Sequence, residues 1–159
     1  MIRIRPANEF DCAEISQMIR LSAEESLYPA FGDGGIQAFE QGISPAAIRI
    51  CLLEGYAYYV AQQFDEIVGV VAVRDRTHLF HLFVHPKVQG NGLGARLMEY
   101  AFDEVGTNYS FRSVTVNSST GAISFYRKNG FLPDGDMQIK QGVPYLPMVR
   151  HAQPPASIH

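Results

Sequence analysis

The sequence predicts a single domain of mixed α+β class, and three observations carry that expectation. Strand-like runs at 56–62, 67–74 and 77–85 follow one another with only short turns between them. Helical patterns at 92–105 and 119–130 then alternate with strand patterns. The chain has 159 residues, 47% apolar, with 10 Phe and 8 Tyr, which is enough for one sizeable core, against a prior of roughly 100–200 residues per domain. Short turns make neighbouring strands antiparallel, whereas a helix between two strands is a crossover. The sheet is therefore mixed rather than doubly wound.

Ile2 and Ile4 alternate with Arg3 and Arg5, the period of a half-buried strand, and Pro6 ends it. Asp11 is placed to cap a helix whose apolar face is Ile15, Met18, Ile19 and Ser22. Residues 27–35 hold Pro29, Gly32, Asp33, Gly34 and Gly35, so they form a loop, with Tyr28 and Phe31 inside it. Ser44-Pro45 opens a second helix, a cap followed by proline at the first helical position. Its inner face is Ile48, Cys51 and Leu52, and Gly55 ends it. Turns at 64–66 and 74–76 join the next three strands, and Pro86 closes the third. After a glycine cluster, Leu93, Leu97, Ala101 and Val105 recur every four residues along a helix that Gly106 stops. The string SVTVN at 113–117 is a short strand, and Ser119 or Thr120 caps a helix ending at Asn129-Gly130. Short strands near 137–140 and 145–150 finish a domain spanning 1–150, and 151–159 is a frayed tail. The order is β-α-α-β-β-β-α-β-α-β-β.

Composition excludes several function classes. No apolar run approaches the ~20 residues that span a bilayer, and the arginines near the start precede no apolar stretch of the kind a signal peptide has. Cys12 and Cys51 are too few for a disulfide framework and lack the neighbours of a zinc site, so neither a metal nor an oxidising compartment is expected. A cytoplasmic location is the default. The net charge of −3 argues against non-specific nucleic-acid binding. Charge is uneven: residues 1–66 carry 4 basic and 10 acidic side chains, and residues 67–159 carry 9 basic and 6 acidic.

The chemistry concentrates in residues 78–95, HLFHLFVHPKVQGNGLGA. A strand ends, a glycine-rich loop follows, and a helix opens directly from it. Free backbone N–H groups and the positive end of the helix dipole converge there, which suits a phosphate. Gly90, Asn91, Gly92, Leu93, Gly94 and Ala95 fit the dinucleotide pattern G-x-G-x-x-A, but several strands precede it and no acid follows in 110–117. No Gly-Lys-Ser/Thr occurs either, so neither nucleotide motif has its context.

Gln89, Gly92 and Gly94 complete the pattern Gln/Arg-x-x-Gly-x-Gly/Ala, and LFVHP precedes it as a strand. Asn117, then Ala122, Phe125, Tyr126, Lys128, Gly130 and Phe131, supply an asparagine-ended strand followed by A-x-x-F-Y-x-K-x-G-F. In both motifs, in their spacing and in element order, the chain resembles the GNAT family of N-acetyltransferases. The resemblance implies that family's fold, a twisted, mostly antiparallel central sheet flanked by about four helices. It implies acetyl-CoA as co-substrate, its pyrophosphate on the amides of Gln89, Gly90, Asn91, Gly92, Leu93, Gly94 and Ala95. It implies that Leu82, Phe83 and Val84 pair with pantetheine as an added strand, with a backbone amide near Phe83 polarising the thioester carbonyl. That pairing requires the strands at 78–84 and 113–117 to splay apart. Asn117 would anchor the pantetheine side, and Tyr126 would be the general acid. Many relatives carry a carboxylate base on the fourth strand, but this strand offers His78 and His81. His78 aligns with the carboxylate, while alternation puts His81 on the opposite face. Lys87, Arg127 and Lys128 are further candidates for the phosphates.

By the same resemblance, the N-terminal segment and the loop after the first helix wall the acceptor site, with Tyr28 and Phe31 as lining. Those parts lie in the acidic half, near Glu24, Glu25 and Asp33, so an acidic mouth and a cationic amine acceptor are expected. The expected function is acetyl transfer to a primary amine of a small molecule, an amino-acid derivative or a protein. A catalytically silent acyl-CoA-binding module stays open as the alternative, and a homodimer is the oligomeric state that the resemblance implies.

Overall fold

The computed structural model describes residues 1–107 and 112–152, so the predicted tail from 153 onward lies outside the described residues. The chain begins with β1 (Arg3–Pro6), α1 (Cys12–Ser26), α2 (Gly35–Gly42) and α3 (Pro45–Leu53). Three strands follow, β2 (Ala57–Gln63), β3 (Glu66–Arg74) and β4 (His78–Val84). Then come α4 (Leu93–Glu104), β5 (Val114–Ser118), α5 (Ile123–Lys128), β6 (Leu132–Pro133), β7 (Gln138–Lys140) and β8 (Val143–Arg150). The strands lie side by side in the order β1-β2-β3-β4-β5-β8-β6, and β7 pairs with β8. All pairings are antiparallel except β4 with β5, which the crossover α4 makes parallel.

Two elements depart from the predicted order. The two-residue β6 is one. The other is α2, a third N-terminal helix starting from Gly34 in a left-handed conformation. The glycine cluster before it obscures the start, and eight residues are too short for a clear period. Its signal was Phe39 and Ile43, four apart: Ile43 is fully buried and Phe39 packs against the same cluster.

Two apolar layers sandwich the sheet. One joins α4 and α5 to Val71, Val73, Leu79 and Val116; the other joins α1 and α3 to Val60, Val70 and Ala72. The interior strand β3 is buried on both faces from Ile67 to Val73, which explains its unbroken apolar run. The predicted face of α1 points inward, with Ile15, Met18, Ile19 and Ser22 all buried.

The start of α1 corrects the cap. Asp11 makes no side-chain cap bond to the helix. Asn8 caps a preceding 3-10 turn instead, and the Asp11 carboxylate reaches back to accept from the Asn8 amide at 2.9 Å. The same carboxylate takes a two-pronged bond from the Arg5 guanidinium, at 2.9 and 3.0 Å. Sequence spacing saw an acid before a helix; only the fold brings β1 alongside to supply the arginine. The Arg5 hydrogen bonds, reinforced by the Asn8 amide, hold the Asp11 carboxyl below the usual carboxylate range against the opposing effect of burial. A lowered acid stabilises the fold above its unfolded pKa of about 3.9, and that stabilisation is lost as pH falls through the lower folded value. Asp11→Asn should therefore cost about 1.5–3 kcal/mol at pH 7, a Tm drop on the order of 5 °C. Melting curves at pH 7 and near pH 2 check it, since the gap between the two proteins should close in acid.

Candidate active site

Strands β4 and β5 begin together and then part. His78 pairs with Thr115 and Leu79 with Val116, and no later residue of β4 pairs with β5. From Phe80 on, the β5-facing edge of the strand is therefore outside the ladder, and such backbone groups need another partner. A cavity of about 650 Å³ occupies the gap. It passes through the sheet. On one face it meets the N-terminus of α4 at Gly92, Leu93 and Gly94, with Phe125 and Tyr126 of α5; on the other it meets Ser22 and Ser26 of α1 and Phe39 of α2.

The α4 end is an anion-binding arrangement. Gly92, the N-cap, sits at φ 76° with no side-chain cap, and Gly90 at φ 85°. The first helical hydrogen bond runs from the Arg96 amide to the Gly92 carbonyl at 3.1 Å, so the amides of Leu93, Gly94 and Ala95 have no partner within the helix. Gln89 donates from Nε2 to the Val84 carbonyl at 3.1 Å, and Asn91 from Nδ2 to the Val88 carbonyl at 3.4 Å. Those two side chains brace the loop against the strand. Gln89, Gly90, Gly92, Leu93 and Gly94 line the cavity; Asn91 and Ala95 lie beside it without lining it. Leu82, Phe83, Val84 and Asn117 line it as well. Of the three basic candidates none does, and Lys87 is ion-paired with Glu66.

Tyr126 lines the cavity and is only 6% exposed, its ring 5.1 Å from Phe125 and 5.4 Å from Phe131. Desolvation alone raises its phenol pKa, so the group stays protonated well above neutral pH.

The histidines change places. The register opposes Leu79 to Val73 and His81 to Ala72, so Phe80 is an extra, unopposed residue, a bulge in β4. His78 lies opposite Arg74. Positions 72 and 74 share a face of β3, so His78 and His81 share a face too, contrary to simple alternation. His78 does not line the cavity; its Nδ1 lies 2.8 Å from the Thr115 hydroxyl. Burial, with help from Arg74, lowers its pKa to about 4. His81 does line the cavity, at 8% exposure. Its Nε2 has no hydrogen-bond partner among the described residues, and burial lowers its pKa to about 4. Both are neutral at pH 7. A bulge leaves no local signature in sequence, which is why His81 was placed on the wrong face.

Of the two predicted lining aromatics, Phe31 faces the cavity and Tyr28 does not. Tyr28 packs behind it at 5.5 Å and donates its hydroxyl to Glu40 at 2.9 Å. Glu40 also meets Arg20 at 3.4 Å. The expected acids do not line this cavity: among the described residues no Asp, Glu, Lys or Arg does, while Asp33 and Glu40 line a second depression formed by the same loop and α2. Phe39, Phe80, Val143 and Tyr145 line it, none of them singled out from sequence. Nothing local marked them, because they come from a short helix, a bulge and the far end of the sheet. Among the described residues no group of three or more His, Cys, Asp or Glu is placed to hold a metal ion. No helix is long and apolar enough to cross a membrane.

Known proteins share this fold. The chain superposes on a GCN5-related N-acetyltransferase from Rhodopseudomonas palustris with a TM-score of 0.80, at 20% identity, covering 94% of each chain. PaiA N-acetyltransferase from Thermoplasma acidophilum, solved with coenzyme A, gives 0.77 at 15% identity, covering 95% of this chain and 99% of its own. In sequence, 83 residues are 35% identical to the peptidyl-lysine N-acetyltransferase YjaB of Salmonella typhimurium, covering 51% of this chain. The chain thus spans about half, 54%, of the length of that curated relative. The model of the GNAT acetyltransferase domain matches residues 27–152, from the end of α1 through β8. With that span matched and the sheet parted beside a bare helix N-terminus, the chain belongs to the GNAT acetyltransferase family.

Proposed function

We propose that this chain is an acetyl-CoA-dependent N-acetyltransferase that acetylates a primary amine. The observation that carries it is the cavity between β4 and β5, which runs from uncapped amides at one end to an aromatic chamber at the other. Coenzyme A bound to PaiA and acetyl-CoA bound to YncA of Salmonella typhimurium support the choice of co-substrate.

In this reading the Gln89–Ala95 loop takes the pyrophosphate on its backbone N–H groups, where the α4 dipole favours negative charge. The unpaired edge of Leu82, Phe83 and Val84 takes the pantetheine arm, with Asn117 on its far side. The Phe83 amide donates toward the thioester oxygen, where charge develops on attack. The free amine attacks the carbonyl carbon. The C–N bond forms, the C–S bond breaks, and Tyr126 gives its phenolic proton to the departing sulfur. The proton shed by the nitrogen restores the phenol through solvent, so a free-base amine needs no separate base. His78, held by Thr115 outside the lining, takes no part.

Thermal shift with acetyl-CoA, against NAD as control, tests binding. At ~100 times its dissociation constant a ligand adds about 2.7 kcal/mol, a rise of several degrees in a domain this size. Free thiol released on adding an amine tests transfer. A shift without any thiol release would mark a silent acyl-CoA-binding module; no shift would remove the co-substrate.

A further inference from the structure

The acceptor end of the cavity is built differently from what the charge of the chain implies. Its wall is a run of touching rings. Phe31 lies 5.8 Å from Phe39, Phe39 6.1 Å from Phe83, Phe83 5.8 Å from His81, and His81 4.2 Å from Phe80. The one titratable group in that run, His81, is neutral at pH 7. Glu40, the carboxylate behind the wall, is already held by Tyr28 and Arg20. An acceptor carrying a second positive charge would lose its hydration here and find no charged side chain in the lining. An apolar body of aromatic size would bury its surface against ring faces and edges.

The same end is also bridged. The turn after Phe31 and the β7–β8 turn meet backbone to backbone, the Gly32 amide donating to the Gly142 carbonyl at 2.8 Å. A Cβ on Gly142, itself at φ 81°, would fall 2.5 Å from the Asp33 carbonyl oxygen, and one on Gly35 would fall 2.5 Å from the Gly142 oxygen. Phe31 precedes one side of the bridge, and Val143 and Tyr145 follow the other; all three line the cavity. The bridge therefore ties together two segments that both supply wall residues of the chamber. A polypeptide presenting a lysine from a folded surface would have to pass over these joined turns, which leaves it less room than a small amine.

We propose that the acceptor is a small amine with a single positive charge at most, carried on an apolar body of aromatic size, and that polyamines and protein lysines are poor acceptors. This rests on the acetyl-transfer reading above and narrows its substrate class. The test is a thiol-release panel at fixed acetyl-CoA: benzylamine, phenethylamine and phenylalaninamide against spermidine, putrescine and a lysine-containing peptide. At least one aryl amine should exceed every cationic acceptor in kcat/KM by about 100-fold, in line with the discrimination apolar pockets reach for missing apolar contact and unpaired charge. Phe31 is half-buried, so Phe31→Glu should fold, and it should narrow that ratio at least tenfold by giving cations a partner. Phe83→Ala should raise KM for the aryl amine more than it lowers kcat.

A polyamine or lysine peptide within tenfold of the best aryl amine overturns the inference. So does a protein that releases thiol with another amine of the panel yet turns over none of the aryl amines, whereas a shift with no release from any amine removes the transfer reading itself. Absence of any acetyl-CoA shift instead removes the co-substrate on which the inference stands, so the two failures are told apart.

Discussion

Tyr126→Phe should leave acetyl-CoA affinity unchanged and lower turnover by about 10²–10⁴-fold, the range for loss of a positioned general acid. The phenol lines the cavity from α5, and burial keeps it protonated and so able to donate. Phenylalanine preserves the ring contacts with Phe125 and Phe131, so stability should change little. A thiolate leaving unprotonated is a poorer leaving group, and the loss should fall on kcat rather than on KM. Steady-state thiol release, with thermal shift as the binding control, checks both halves. Unchanged turnover would return Tyr126 to the core as an ordinary aromatic.

Gly92→Val should weaken acetyl-CoA binding at least tenfold while the rest of the fold persists. Gly92 sits at φ 76°, where a β-branched residue is strained by roughly 1–2 kcal/mol or more. The strain is purely conformational, because a Cβ there would meet nothing within 4 Å. Relieving it means rotating the turn, which re-aims the amides at the head of α4. Gly94→Ala is the contrasting variant. It lies at ordinary φ, and its Cβ would rest 3.5 Å from the Phe125 ring, an ordinary contact. It should fold normally, and any loss of binding would come from bulk at the ligand side. Titration calorimetry separates the two; normal binding by Gly92→Val would mean that the loop holds no pyrophosphate.

Much of this architecture was legible because it is local. Alternating Ile and Arg, the four-residue recurrence from Leu93 and the Ser44-Pro45 start each describe a period or a cap within a few residues, and each element appears within a residue or two of its expected ends. The glycine loop was legible for the same reason, since a strand, positive-φ residues and a helix start are adjacent in the chain. Tyr126 was reachable only through resemblance to a family, because a tyrosine on an apolar face has no chemistry of its own.

The acceptor side was not legible, because pairing between distant segments decides it. The bulge at Phe80 is set by how β3 and β4 match, and it carries His81 to the same face as His78. Glu40 lies in the acidic half of the chain, and only folding delivers Tyr28 and Arg20 to it and leaves it outside the cavity lining. Gly32 and Gly142 are unremarkable turn residues more than a hundred positions apart, until β8 brings them into contact. Net charge by half of the chain sums residues regardless of direction, whereas a cavity responds only to groups that face it within a few ångströms. Sequence by itself therefore determined the framework, the glycine loop and, through the resemblance its motifs carry, the family and the splay that the family implies. Tertiary structure alone decided that the chamber is aromatic, uncharged and bridged, because facing, register and partnership belong to pairs of segments and not to either one.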